Sequence, residues 1–119
     1  MTETNNKYDL EERTYQFAKK VALFCRKLLS NLTNKEYISQ VVRSSGSVGS
    51  NYIEANEALG KKDFMMRIKI CRKEAKESVF WLRLIVDTNS EDSKSEAVLL
   101  MNEAIELKKI FSSIIVKSS

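Results

Sequence analysis

Arg43-Ser44-Ser45-Gly46-Ser47-Val48-Gly49-Ser50-Asn51-Tyr52-Ile53-Glu54-Ala55 is rich in small residues and at first glance resembles a loop. Its apolar residues, however, recur at helical period. Counting about 100° per residue from Tyr37, the side chains of Val41, Val48, Tyr52, Ala55 and Leu59 fall in one narrow arc, with Ser44 at its edge. Gly46 and Gly49 each cost a helix about 1 kcal/mol relative to alanine. A helix that keeps both is expected to gain close backbone approach to a neighbour. The stretch reads as a packing helix with a thin face rather than as a phosphate-cradling loop.

The rest of the chain agrees with a helical reading. It has 119 residues, no proline, three glycines and 30% charged residues, a composition suited to a few long helices joined by short turns. One domain over residues 1–119 is expected, large enough for a single core. No run of about 18 apolar residues exists, so no membrane span is expected. Met1-Thr2-Glu3-Thr4-Asn5-Asn6-Lys7 lacks the apolar core of a signal peptide, which makes a cytoplasmic location the expectation. Cys25 and Cys71 fall at apolar helical positions without a CxxC partner and read as buried free thiols. Histidine is absent, which removes the commonest metal ligand and general base. No cofactor, metal site or catalytic residue is expected, and the chain does not read as an enzyme.

Punctuation divides the chain into four helices. Asp9 followed by Glu12 fits a capping box opening helix 1 at roughly residues 9–31, with Phe17, Val21, Phe24, Leu28 and Leu32 as its inward stripe. Thr33 with Glu36 repeats the pattern for helix 2, about 34–59, and Gly60 suits the residue just past its end. Helix 3 is expected over about 62–87, with Asp63 favourably placed in its first turn. Thr88-Asn89-Ser90 is the next break, and Ser93 with Glu96 opens helix 4 at about 93–117. Short connections imply antiparallel neighbours, hence an all-α, up-down-up-down four-helix bundle.

Charge concentrates on helix 3. Residues 61–76 carry Lys61, Lys62, Arg67, Lys69, Arg72, Lys73 and Lys76 against only Asp63 and Glu74, whereas the whole chain has a net charge of +4. Lys69, Lys73 and Lys76 lie within about 40° of Lys62 by the helical period. Such a stripe suits phosphate contacts, and a solvated lysine face is the competing reading. Lys62, Lys69, Arg72, Lys73 and Lys76 are the candidate nucleic-acid contacts.

Further along, the same face turns apolar. Phe80, Leu84 and Met66 fall on the lysine stripe, Trp81 lies between it and the core arc, and the core arc itself holds Phe64, Ile68, Cys71, Ala75, Leu82 and Val86. A helix apolar on more than one side must bury more than one side, which points to self-association through Phe80, Trp81 and Leu84. Arg67 and Glu74 fall on or beside the buried arc, and Arg43 and Glu54 share a polar stripe with Gln40, Ser47 and Asn51. Arg43, Glu54, Arg67 and Glu74 therefore read as a structural polar network setting register between helices, in preference to acid–base machinery. Hydroxyls in Ser44-Ser45-Gly46-Ser47 are expected to bond back to the helix or across a close interface.

The order Gln40, Arg43-Ser44, Ser47-Val48-Gly49, Asn51-Tyr52-Ile53-Glu54-Ala55, then Asp63-Phe64, Arg67-Ile68, Ile70, Lys73-Glu74-Ala75, Glu77 and Trp81-Leu82 resembles the four-helix-bundle protein family. Its founding members are encoded by intervening sequences in bacterial 23S rRNA genes and are also called S23 ribosomal proteins. The resemblance covers about residues 8–115, although helix 4 matches only in apolar spacing, and Ser45-Gly46 stands where relatives often carry alanine or threonine. It implies a homopentameric ring of antiparallel bundles. The family includes the accessory protein of diversity-generating retroelements, so the resemblance also implies nucleic acid and a reverse transcriptase as candidate partners.

The expected function is that of a non-catalytic, oligomeric nucleic-acid-binding protein that contacts phosphates through helix 3, with structured RNA or an RNA–protein assembly favoured as the ligand over DNA. The alternative is a scaffold that recruits a protein, such as a reverse transcriptase, through the apolar end around Phe80 and Leu84.

Overall fold

A computed structural model describes the backbone of residues 3–119 and the side chains of residues 9–119. Met1 and Thr2, which belong to the expected domain span and to the N-terminal stretch read for a signal peptide, lie outside the described residues. Four helices follow one another: α1 Glu3–Cys25, α2 Leu32–Asn56, α3 Lys61–Thr88 and α4 Glu91–Ser118. Each packs against its neighbours in sequence and α4 returns to α1, while the backbones of the diagonal pairs stay apart among the described residues. This is the antiparallel four-helix bundle that the pattern requires.

The interior follows from the helical period. Phe17, Val21 and Phe24 of α1, Val41 and Val48 of α2, Ile68, Leu82 and Ile85 of α3, and Leu107 and Phe111 of α4 are all excluded from solvent. Tyr52 and Phe111 meet across the core at 5.9 Å between ring centroids, tilted by 54°. Each fully buried side chain of this size contributes about 1.5–3 kcal/mol relative to exposure.

Helix ends depart from expectation where two capping signals compete. Asp9 does not open α1, because the helix already runs from Glu3 and neither glycine nor proline precedes Asp9 to stop it. At the other end α1 closes at Cys25, where Lys27 N–H donates to Phe24 O (3.0 Å) and Leu28 N–H to Cys25 O (3.2 Å), tightening the last turn. Leu28 still packs on the core, but Leu32 is exposed at the start of α2. Asn31, not Thr33, caps α2, its side chain accepting from Asn34 N–H at 2.7 Å. Gly60 is extended (φ −165°) and caps the start of α3, so it is not a left-handed residue closing α2. α2 instead ends in a tight turn, with Glu57 N–H donating to Glu54 O and Ala58 N–H to Ala55 O, which rotates Leu59 out of the core arc and into solvent. Ser90 caps α4, so Ser93 lies one turn inside it, behind Glu91 and Asp92 in the first turn.

The small residues of α2 divide by face. A Cβ on Gly49 would lie 3.0 Å from Thr14 Oγ1 of α1, so this glycine permits the expected close approach. A Cβ on Gly46 would meet nothing within 4 Å, so that glycine serves no contact within the described residues. Ser44 Oγ and Ser78 Oγ are 2.8 Å apart in the buried α2–α3 seam, and Ser78 also donates to Glu74 O at 2.9 Å. Both hydroxyls are thus satisfied within and across helices, as buried polar groups require.

Candidate nucleic-acid interface

The core side of α3 determines what its opposite side can do. Ile68, Cys71, Ala75, Ser78, Leu82 and Ile85 are buried, which turns Lys62, Lys69, Lys73 and Lys76 outward, and all four are exposed. At 1.5 Å per residue they span roughly 21 Å along one helix. Arg72 is half-buried and, at about 80° from Lys62 by the helical period, stands off the line of the other four. Among the described residues none of the five has a carboxylate within 4.0 Å. Among the described residues, the positive charge of the face is therefore not neutralised by direct ion pairing.

The face is not uniformly polar. Met66 is 48% exposed among the lysines, and Met65 and Ile70 are half-buried beside it. Together with Lys61, Lys62, Lys69, Lys73 and the α4 terminus at Ser118 and Ser119, they line an open groove of about 810 Å³. The basic stripe was legible in the sequence, and the helical period placed Met66 on the same face, but the groove itself was not read. The methionines were visible there as residues, yet the groove needs the end of α4 beside them.

Arg43 spans α2 and α3. Its Nη1 donates to Glu74 Oε1 at 3.3 Å, and its Nη2 lies 3.6 Å from Glu77 Oε1. Glu74 is buried, while the Arg43 side chain is half-exposed. Arg67 Nη1 donates to Asn51 Oδ1 at 3.0 Å, and Asn51 Nδ2 donates to Ser47 O at 2.9 Å. One detail of the expected network is corrected. Glu54 is exposed and forms no ion pair among the described residues, since it sits three turns beyond Arg43, roughly 16 Å along the same helix. Glu77 was not anticipated as a partner, although its spacing one turn from Glu74 places both carboxylates along the α2-facing edge.

Phe80 is 56% exposed and stands edge-on to Trp81, 5.0 Å between centroids at 80°. Trp81 also contacts Tyr37 at 6.1 Å and packs on the core, and its buried Nε1–H has no hydrogen-bond partner among the described residues. Leu84 is half-buried. Burial pushes the Cys25 thiol up to about 11 and the Cys71 thiol up to about 12, and both cysteines are free. Neither suits nucleophilic chemistry, which needs the thiolate. Among the described residues no three acidic, cysteine or histidine side chains cluster as a metal site, and no helix is long and apolar enough to cross a membrane.

Fold and site together define a four-helix bundle with an exposed basic face on α3. Residues 6–113 match the family described as 23S rRNA-intervening sequence protein, and the chain belongs to that family. A solved structure of similar fold is a protein of unknown function from the S23 ribosomal protein family of Bacteroides thetaiotaomicron VPI-5482. It is 26% identical, with a TM-score of 0.75 over 88% of this chain and 96% of the other. No curated protein matches the sequence.

Proposed function

We propose that the protein is a non-catalytic nucleic-acid-binding protein that works as a homo-oligomer, with RNA as the preferred ligand. The observation that carries this reading is the row of Lys62, Lys69, Lys73 and Lys76, exposed on one face and unpaired with carboxylates among the described residues. Ammonium groups so placed release counterions when they meet phosphates, which drives association without base readout. Arg72 supports the edge of that face. Assembly, as a ring of five by family resemblance, would repeat the stripe and add avidity to individually weak contacts. Binding of unrelated RNA sequences across a range of salt concentrations tests the proposal. Similar affinities that fall steeply with salt support it, and the absence of binding at low salt defeats it.

A second reading has its own observation. Phe80, exposed beside Trp81 and Leu84, suits a protein contact, whether another copy of the chain or a recruited partner such as a reverse transcriptase. Such a contact should depend weakly on salt, in contrast to phosphate binding.

A further inference from the structure

We infer that the basic face of α3 takes single-stranded nucleic acid in preference to duplex, seating unstacked bases on the floor formed by Met65, Met66 and Ile70. The inference rests on the nucleic-acid reading above and names the form of ligand that reading leaves open. The groove pairs two chemistries at close range, since Lys61, Lys62, Lys69 and Lys73 share its lining with Met65, Met66 and Ile70; lysine stems can lie along apolar surface while their ammoniums stay in water. Along the outward line the order is Lys62, Met66, Lys69, Lys73, with successive rises of roughly 6, 4.5 and 6 Å.

A ligand that complements this surface must alternate anionic and apolar groups over a few ångströms. A single strand does so, because its phosphates are continuous while its base faces are free to turn inward. A duplex presents phosphates but keeps its base faces stacked, so it would engage the lysines and leave the apolar floor unused. Polar spacers would serve phosphate contact equally well, yet Met66 stands 48% exposed among the cations. Methionine is flexible and its sulfur interacts favourably with aromatic rings, so the floor adapts to any base. Among the floor residues no side chain offers a hydrogen bond to a base edge, so little sequence preference is expected.

The test compares a fluorescein-labelled oligouridine with a blunt RNA duplex of equal length, by anisotropy at low salt. The single strand should bind about tenfold more tightly, and the double variant Met65→Gln/Met66→Gln should lose about that factor. Duplex affinity should stay within about twofold in the same variant, with helicity unchanged by circular dichroism. Met66→Phe, which offers a larger stacking surface, should tighten the single strand. Equal affinity for both ligands, with methionine variants that change nothing, overturns this inference and leaves the phosphate reading standing. No affinity for either ligand overturns both. Methionine variants that weaken only an acidic amphipathic peptide, with single-strand affinity unchanged, assign the floor to a protein and also overturn the inference.

Discussion

Gly49 of α2 lies directly against Thr14 of α1: a Cβ on the glycine would come within 3.0 Å of Thr14 Oγ1 and 3.3 Å of its Cβ. Thr14 is 1% exposed and its hydroxyl donates to Glu11 O at 3.0 Å, so it has little room to withdraw. Gly49→Ala should therefore destabilise the protein by about 1–3 kcal/mol through overpacking. Gly46 is the internal control, since nothing lies within 4 Å of its missing Cβ. Gly46→Ala should stabilise by about 0.4–1 kcal/mol. Chemical denaturation of the two variants checks the pair. A destabilising Gly46→Ala would show that another chain packs on this side of α2.

Arg43 offers a second stability test. Glu74 is buried and loses its guanidinium partner in Arg43→Ala, whereas Lys35 is exposed and forms no ion pair among the described residues. Because the Arg43 side chain is half-exposed and water can replace part of the interaction, the expected loss is about 1–3 kcal/mol, below that of a fully buried pair. Lys35→Ala should change stability by less than about 0.5 kcal/mol. Equal, small effects would show that the Arg43–Glu74 contact does not hold α2 to α3.

The thiols predict a pH dependence. Both folded-state values are raised by burial, Cys25 to about 11 and Cys71 to about 12. The unfolded chain therefore releases its thiol protons first, so stability is retained below the ordinary thiol range near pH 8.5 and falls as pH rises towards 12. Cys71→Ala should flatten that fall relative to wild type. Thiol-specific reagents at pH 8 should react slowly with the native protein and rapidly in denaturant. Fast native reaction would contradict the burial of both groups.

These tests separate what the sequence disclosed from what it concealed. Val41, Val48, Tyr52 and Ala55 showed the buried face of α2 because burial repeats every turn, and Phe17, Val21 and Phe24 did the same for α1. The helix ends were harder, since Asn31 and Thr33 are both competent caps and only the three-dimensional turn selects between them. Leu32 and Leu59 were placed inside for the same reason, being apolar residues extrapolated past the point where the helix stops. The basic stripe was legible as periodicity on one helix. The groove between the α3 methionines and the α4 terminus, the Arg43–Glu77 approach and the reciprocal amide pair of Asn34 and Asn89 were not, because each joins separate segments of the chain. That amide pair, at 2.9 and 3.0 Å, ties the α1–α2 turn to the α3–α4 turn.

Self-association has its own check. A half-exposed Phe80 beside a half-buried Leu84 suits a face covered in an assembly. Sedimentation at micromolar concentration should give a species several times the 13.7 kDa monomer, and Phe80→Asp should shift it towards monomer. A wild-type monomer would remove the assembly, and with it the avidity of a repeated stripe.

The most direct test of the central claim replaces Lys69, Lys73 and Lys76 with glutamine, which keeps the long stems and helix propensity but deletes three charges. Wild-type affinity for RNA should fall with salt with a logarithmic slope of about 3–4 per chain engaged, near one for each contact. The triple variant should keep its helicity and its sedimentation behaviour, bind unrelated RNA sequences far more weakly, and show a slope reduced by about 2–3. Affinity and slope unchanged in the triple variant would contradict the account and leave the lysines as a solvated face.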